Sequence, residues 1–381
     1  MSVRVVHFAD AHLGFETAGR PCPDSGLNSR VHDVLDRLDE VASFVEDEGA
    51  HVVCFAGDAF SVPRPGPTLE ALFAERITRM AATGAQVVLL AGCTDQPRGP
   101  GQRGPLAIYR ALSVPRVTVA DAPRLLRLHT DGGEIAIACL PWSPGSNAGE
   151  TVSHLVAAAD GPEPIILLAH IEPRDVAAIA HPRLAVAALG HVHTATGRLN
   201  GGPRRQPFAA YAGSLERFDF GDSGDHDHDA ENDQDKGFWV YDINDDGLDR
   251  DPEFVPVAAR RLVAVTVTLP DGAGPGEVAQ ALSAIATPAP DALVRVRVEG
   301  ARAALAHVDT AQTVASMSGA ADVRVDLHAR RPARTGPVVP DSSGPADAFD
   351  AWLGQHPEMP DRERVRARGH ELIESLRAKA G

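Results

Sequence analysis

Over the first 258 residues, short apolar runs alternate with amphipathic segments. The runs are VRVVHFA (3–9), HVVCFAG (51–57), VVLLAG (87–92), EIAIACLPW (134–142), PIILLAH (164–170) and AVAALGHVH (185–193). Each reads as a strand. Between them, residues 30–48 place Val31, Val34, Leu35, Leu38, Val41, Ala42 and Val45 on one helical face, and 68–82 repeat the style. Strands alternating with helices predict a layered α/β domain. Two Pro/Gly-rich stretches, 61–67 and 97–105, predict loops. Residues 219–236 (DFGDSGDHDHDAENDQDK) are acidic and of low complexity, so they predict a solvated loop.

A second unit is expected over 259–330. RLVAVTVTL and ALVRVRVEG read as strands, PGEVAQALSAIA as a helix, 303–317 as a helical stretch and DVRVDLHAR as a last strand. That is a small α+β domain. Residues 331–346 read as a linker. The segment 347–381 is helical, with Val365, Leu372, Ile373 and Leu376 on one stripe.

Composition narrows the class. The 381 residues are 44% hydrophobic and 23% charged, as in a globular protein of two or three domains. This excludes a collagen-like or wholly disordered chain. The formal charge of −16 argues against a basic nucleic-acid-binding surface. Half of it sits in 219–235, where Asp219, Asp222, Asp225, Asp227, Asp229, Glu231, Asp233 and Asp235 meet no Lys or Arg. Acidity therefore does not exclude a DNA substrate, but it points to a partner for strong phosphate affinity. Four scattered cysteines, Cys22, Cys54, Cys93 and Cys139, suit a reducing compartment, and a cytoplasmic location is expected. The N-terminus lacks the apolar core of a signal peptide, and no apolar run approaches a membrane span of about 18 residues.

Five of the runs lead straight into polar residues able to hold a metal: Asp10 and His12; Asp58; Cys93, Thr94 and Asp95; His170; His191 and His193. Ligand sites of α/β folds lie beyond the carboxyl ends of strands, so these ends can converge. Asp10/His12 and His191/His193 are i, i+2 pairs, which extended backbone would point to one side. Histidine with carboxylate favours a divalent ion such as manganese, iron or zinc. The donors exceed one tetrahedral site, and two ions bridged by one carboxylate would suit displacement at phosphorus.

The ordered set FADAHLGF (8–15), FAGDAF (55–60), LLAH (167–170), LGHVH (189–193), YAGSLERFDFGD (211–222) and KGF (236–238), with Arg30 and Asp33, resembles the calcineurin-like metallophosphoesterases of the Mre11/SbcD DNA repair nuclease family. The resemblance covers about 1–258. It implies a four-layer α-β-β-α sandwich with a small α+β capping domain and a C-terminal helical tail. Its implied activity is metal-dependent phosphodiesterase or DNA exonuclease chemistry in double-strand break repair. It implies two divalent ions, manganese foremost, with Asp10, His12 and His193 on the first, Asp58 bridging, and His170 and His191 on the second. The implied partners are DNA and an SbcC/Rad50-like coiled-coil ATPase, reached through the tail; a homodimer stays open, and no membrane is expected.

One motif departs from the family. Where it has Gly-Asn-His-Asp/Glu, this chain has Gly92-Cys93-Thr94-Asp95. The family's Asn is a ligand and its His the general acid. Cys93 can ligate as thiolate, favouring softer ions such as zinc, or act as a small buried hydrophobe. Thr94 has no pKa near neutrality. The candidate catalytic set is Asp58, Thr94 and His193, and Arg98 and Arg103 on the following loop are candidates for substrate phosphate. His7, His32, His51 and Trp142 read as structural, and the DHDHD run at 225–229 as a spacer. Two rival readings are a weakened DNA-end-binding scaffold subunit and a phosphodiesterase for small nucleotides or other phosphate esters. The tail either packs on its own domain or docks on the ATPase.

Overall fold

The computed structural model describes residues 2–380 apart from 98, 100, 146, 200–206, 219, 221–233, 286–289, 331–343 and 358. Most of the acidic run, including 225–229, and most of the linker lie outside the described residues, as does Arg98. The chain divides into two compact units: residues 1–266 with 285–297 and 310–326, and residues 267–284 with 298–309 and 327–381.

The first unit is built on two sheets. One contains β1 (Val3–Phe8), β2 (Val52–Phe55), β3 (Gln86–Leu90), β4 (Val117–Ala120), β10 (Gly237–Asn244), β11 (Gly247–Leu248) and β12 (Glu253–Pro256), in the order β11-β10-β1-β2-β3-β4 with β12 also on β10. Strands β1 to β4 are parallel, and β10 runs antiparallel to β1. The second contains β5 (Arg124–Thr130), β6 (Gly133–Leu140), β7 (Ile165–His170), β8 (Leu184–Gly190) and β9 (Phe208–Tyr211), in that order, parallel from β6 to β9.

Helices cover the outer faces. Helix α1 (Ser29–Asp47) starts where the Asn28 side chain accepts the Arg30 N–H at 2.9 Å, an N-cap. All seven residues of its expected apolar face are buried. With α2 (Pro67–Ala82), begun by Pro67 at its first turn, α1 packs on the first sheet around Phe8, Phe55, Phe60 and Phe73. Helix α3 is Ala107–Ala111. Helix α4 (Ala148–Ala157) and the 3₁₀ turn Pro173–Ile179 cover the second sheet. Between the sheets lies a third cluster, including Val5, Val52, Cys54, Ile137, Cys139, Ile166 and Val186. The order helix, sheet, sheet, helix is the expected four-layer sandwich.

A third sheet has the order β13 (Leu262–Thr268), β14 (Leu293–Gly300), β15 (Asp322–Ala329), and the division into units runs across it. Helix α5 is Pro275–Ser283. The helical stretch expected over 303–317 is two short helices, α6 (Arg302–Leu305) and α7 (Thr310–Ser316), broken by a turn at 306–309. The tail also forms two helices, α8 (Pro345–Gly354) and α9 (Arg362–Ala380). Pro357 and Pro360 lie in the break, where proline cannot continue a helix. A β-carbon on Gly369 would collide with the Phe349 ring, so α8 and α9 cross closely there. Asp350 pairs with His370 at 3.0 Å and Arg366 at 3.1 Å. Leu372 and Leu376 stay 49% and 65% exposed.

Candidate metal centre

The loops after β1 and β2 run on side by side beyond the strands. Asp10 N–H donates to Gly57 O at 2.9 Å, His12 N–H to Asp58 O at 3.0 Å and Leu13 N–H to Ala59 O at 2.9 Å. This zipper brings Asp10, His12 and Asp58 together. The expectation of extended backbone at the ligand pairs is overturned. Asp10, His12, Asp58 and His191 have φ of 51°, 43°, 60° and 107°. Such left-handed conformations cost of order 1–3 kcal/mol each for residues with a side chain and cluster at functional sites.

The second sheet contributes across the gap. The His191 N–H donates to Asp10 Oδ2 at 3.0 Å, tying the end of β8 to the end of β1. The turn carrying His193 is pinned through its carbonyl, which accepts Ser214 N–H at 3.0 Å and Lys236 Nζ at 2.8 Å. Lys236 is buried and also meets Ser214 Oγ at 2.8 Å.

Two donor groups result, each with its ligand atoms within 4.8 Å of one another: Asp10, His12 and His193; and Cys93, His170 and His191. A third combination, Asp10, Asp58 and His170, spans them. His191 and His193 fall in different groups, which is the division that the family resemblance implies. Asp58 Oδ2 lies 3.7 Å from His12 Nε2 and 3.5 Å from His170 Nε2, between the groups. His12 and His193 bring Nε2 atoms to 3.1 Å. Two nitrogens held at right angles about 2.1 Å from one ion stand about 3 Å apart, so the spacing suits shared coordination.

His170 is fully buried. Its Nδ1 donates to Ala56 O at 2.7 Å, which leaves the lone pair of Nε2 facing the site, where that atom has no hydrogen-bond partner. Burial lowers its pKa to about 4, so the ring is neutral and able to ligate. Asp10, also fully buried, is pushed well above the usual carboxylate range by burial and by the Asp58 charge. A bound cation would reverse that penalty. An orphaned imidazole nitrogen and two buried carboxylates facing one point fit divalent cations.

Thr94 and Cys93 both lie against Asp58. Thr94 N–H and Oγ1 donate to Asp58 Oδ1 at 2.8 and 3.0 Å, and Cys93 Sγ donates to Oδ2 at 2.9 Å. Burial also raises Asp58, but His170, His12 and these donors outweigh it and hold the carboxyl below its ordinary value. Burial and the Asp58 charge push the Cys93 thiol up. Asp95 sits beneath, accepting N–H groups of Asp58 (2.8 Å), Gly92 (3.0 Å) and Ala59 (3.1 Å). It fixes the two loops rather than facing the donor groups. Gly92 is required there, because a β-carbon would collide with Asp58 Oδ1 and N.

Several residues around the centre were not picked out as site residues from the sequence. Phe218, inside the GSLERFDFGD segment, sets its ring edge-on to His12 and His193 at 5.2 and 5.3 Å. Trp142 does pack, and what it packs on is His191, stacked at 5.0 Å and 22°. A cavity of about 310 Å³ opens beside it, lined among others by His170, Glu172, Arg174 and Asp175. The same segment supplies Glu216 to a buried ion network. Arg30 reaches Asp33 at 2.6 Å and Glu216 at 3.3 Å, and Arg260 grips both Asp33 oxygens at 2.6 and 2.9 Å. His7, His32 and His51 lie in neither donor group: His7 meets Tyr241 Oη at 2.9 Å, His32 meets Ser25 Oγ at 2.7 Å and His51 accepts Arg4 N–H at 2.9 Å. Arg103 is exposed on its loop.

No protein-family model matches the chain. It is 28% identical to the SbcD chain of the SbcCD nuclease of Bacillus subtilis over 152 residues, 40% of this chain and 37% of that one. It is 25% identical over 274 residues to the DNA double-strand break repair protein Mre11 of Methanocaldococcus jannaschii, 69% of each chain. The first match thus spans well under half of its relative, the second about two thirds. Among solved structures, TT1561 of Thermus thermophilus aligns at 10% identity over 67% of this chain and 99% of that chain, with a TM-score of 0.40. A dimetal phosphatase from Danio rerio aligns at 8% over 63% and 92%, with a TM-score of 0.38.

The two-sheet sandwich with Asp and His donors at its strand ends is the arrangement expected of the metallophosphoesterase fold. The relatives above and this donor set support a calcineurin-like metallophosphoesterase of the Mre11/SbcD type. Among the described residues, no helix is long and apolar enough to cross a membrane.

Proposed function

We propose that the chain is an Mre11/SbcD-like nuclease subunit that hydrolyses DNA phosphodiester bonds at a two-ion centre. The observation that carries this reading is the position of Asp58 Oδ2 between His12 and His170, where one carboxylate can serve both donor groups. Asp10, His12 and His193 would hold one ion and Cys93, His170 and His191 the other; manganese suits a centre of carboxylate and imidazole donors, with iron or zinc as alternatives. Two such ions, when bound, stabilise the attacking and leaving oxygens of an in-line displacement at phosphorus. The protein's part is placement. Asp95 holds the Asp58 and Gly92 loops, Lys236 holds the His193 turn, and Trp142 and Phe218 fix the imidazole planes. Arg98 and Arg103 would meet substrate phosphate.

The acidic chain supplies little phosphate affinity of its own. We therefore assign the basic surface to an SbcC/Rad50-like ATPase docked on 347–381, where Leu372 and Leu376 are exposed. A second reading, a scaffold subunit with little turnover, is favoured by Thr94, which offers no proton near neutrality. The test is hydrolysis by the purified chain of linear duplex DNA and of a small model phosphodiester, with manganese and with chelator. Manganese-dependent cleavage that prefers DNA supports the nuclease. DNA binding without cleavage supports the scaffold.

A further inference from the structure

The two donor groups are chemically unequal. One offers a carboxylate oxygen and two imidazole nitrogens, the other a sulfur and two imidazole nitrogens. Cys93 Sγ is not sequestered in apolar packing, since it faces Asp58 Oδ2 at 2.9 Å within the group made by His170 and His191. His170 is fully buried, and its unpartnered Nε2 is aimed into the same space, 3.5 Å from that oxygen. Stacking by Trp142 fixes His191, whose ring meets that of His170 edge-on at 5.2 Å.

Counting the shared Asp58 oxygen, this side presents one sulfur, two nitrogens and one oxygen. Four-coordinate zinc accepts such sets, and thiolate selects soft or borderline ions over manganese. The other side, with Asp10, the shared Asp58 and two histidines, lacks sulfur and suits a harder ion.

We propose that the centre is heterobimetallic: the Cys93 thiolate, His170 and His191 select a thiophilic divalent ion such as zinc, while Asp10, His12 and His193 take a harder ion such as manganese. The inference rests on the two-ion reading above. On binding, the Cys93 proton now shared with Asp58 passes to solvent, as ligation by sulfur requires.

The experiment strips the full-length chain with chelator and titrates it with cobalt(II), following absorbance and bound metal. The expected result is an intense near-ultraviolet thiolate-to-cobalt band that saturates with one ion, while weaker visible absorption follows a second. Cys93→Ser and Cys93→Asn should lose the near-ultraviolet band, keep visible absorption and unfold near the wild-type temperature. Zinc should abolish the band where equal manganese does not. Its affinity for that position should fall in both variants by at least the 10–100-fold typical, in order of magnitude, of losing an outer-shell partner. Two cobalt ions bound without the band, or a band that persists in both variants, overturn the mixed-ion inference alone. A wild-type chain that binds no cobalt overturns the two-ion reading with it.

Discussion

Thr94 is tied to Asp58 twice, through its backbone N–H at 2.8 Å and its hydroxyl at 3.0 Å, both to Oδ1. The side chain that the sequence resemblance sets at the position of a general acid is therefore a hydrogen-bond donor to Asp58 with no proton that titrates near neutrality. General acid catalysis contributes typically about 10²–10⁴-fold. The double variant Cys93→Asn with Thr94→His should raise the single-turnover rate on DNA by about 10²-fold or more within that range. An unchanged rate means that proton donation at this position does not limit cleavage.

Gly92 faces Asp58 with no room for a methyl group. Gly92→Ala should displace the Asp58 carboxylate and cut bound metal below two ions per chain, measured by elemental analysis after desalting. Stability should fall by about 1–3 kcal/mol, the usual cost of overpacking. Full metal content in this variant would show that the Asp58 loop moves freely.

The buried ion network makes a stability prediction. Asp33 is held below the usual carboxylate range: burial pushes it up, but Arg260 and Arg30 outweigh burial. Asp33→Ala removes the shorter of the two carboxylate partners of buried Arg30 and the partner of Arg260, leaving Glu216 alone to balance Arg30, and should cost about 3–5 kcal/mol in urea unfolding. A depressed carboxyl stabilises above its unfolded pKa and loses that contribution as pH falls. The wild-type advantage should therefore shrink below the ordinary carboxylate value of 3.8.

His7 gives a second pH dependence. It is fully buried on the same face of β1 as Val5 and Ala9, and burial lowers its pKa from 6.5 to about 3. On acidification the unfolded chain takes up this proton first, so stability falls progressively from pH 6.5 toward about 3. His7→Gln removes the titration and should flatten the stability profile by a few kcal/mol between about pH 7 and pH 4. Parallel profiles would mean that the ring is already charged in the folded state.

Much of this was legible in the sequence because apolar runs and strand ends are local signals. Each of the five runs that end in candidate ligands became a strand, and the seven apolar positions of α1 are all buried. Less legible were the half-exposed strand β5, whose RLLRLHT carries charge among its leucines, and the four-residue β9. Helix breaks at 306–309 and 355–361 hid in otherwise helical composition. At the centre, residue types were readable, and their grouping came from the family resemblance rather than from spacing. The i, i+2 rule assumes extended backbone, and positive φ at Asp10, His12 and His191 replaces it. Trp142 and Asp95 act on partners 49 and 37 residues away, His191 and Asp58, which no local pattern records. Phe218 and Lys236 did carry a signal, since both lie in the segments that carry the family resemblance.

Whether Asp58 organises a two-ion nuclease centre is decided by comparing manganese-dependent hydrolysis of linear duplex DNA by the wild-type chain and by Asp58→Ala. Asp58 Oδ2 lies 3.7 Å from His12 Nε2 and 3.5 Å from His170 Nε2, where it would serve both donor groups. The wild type should cleave in a metal-dependent manner, and the variant should lose that cleavage by at least about 10²-fold. Equal cleavage by the two proteins would contradict the assignment of the centre.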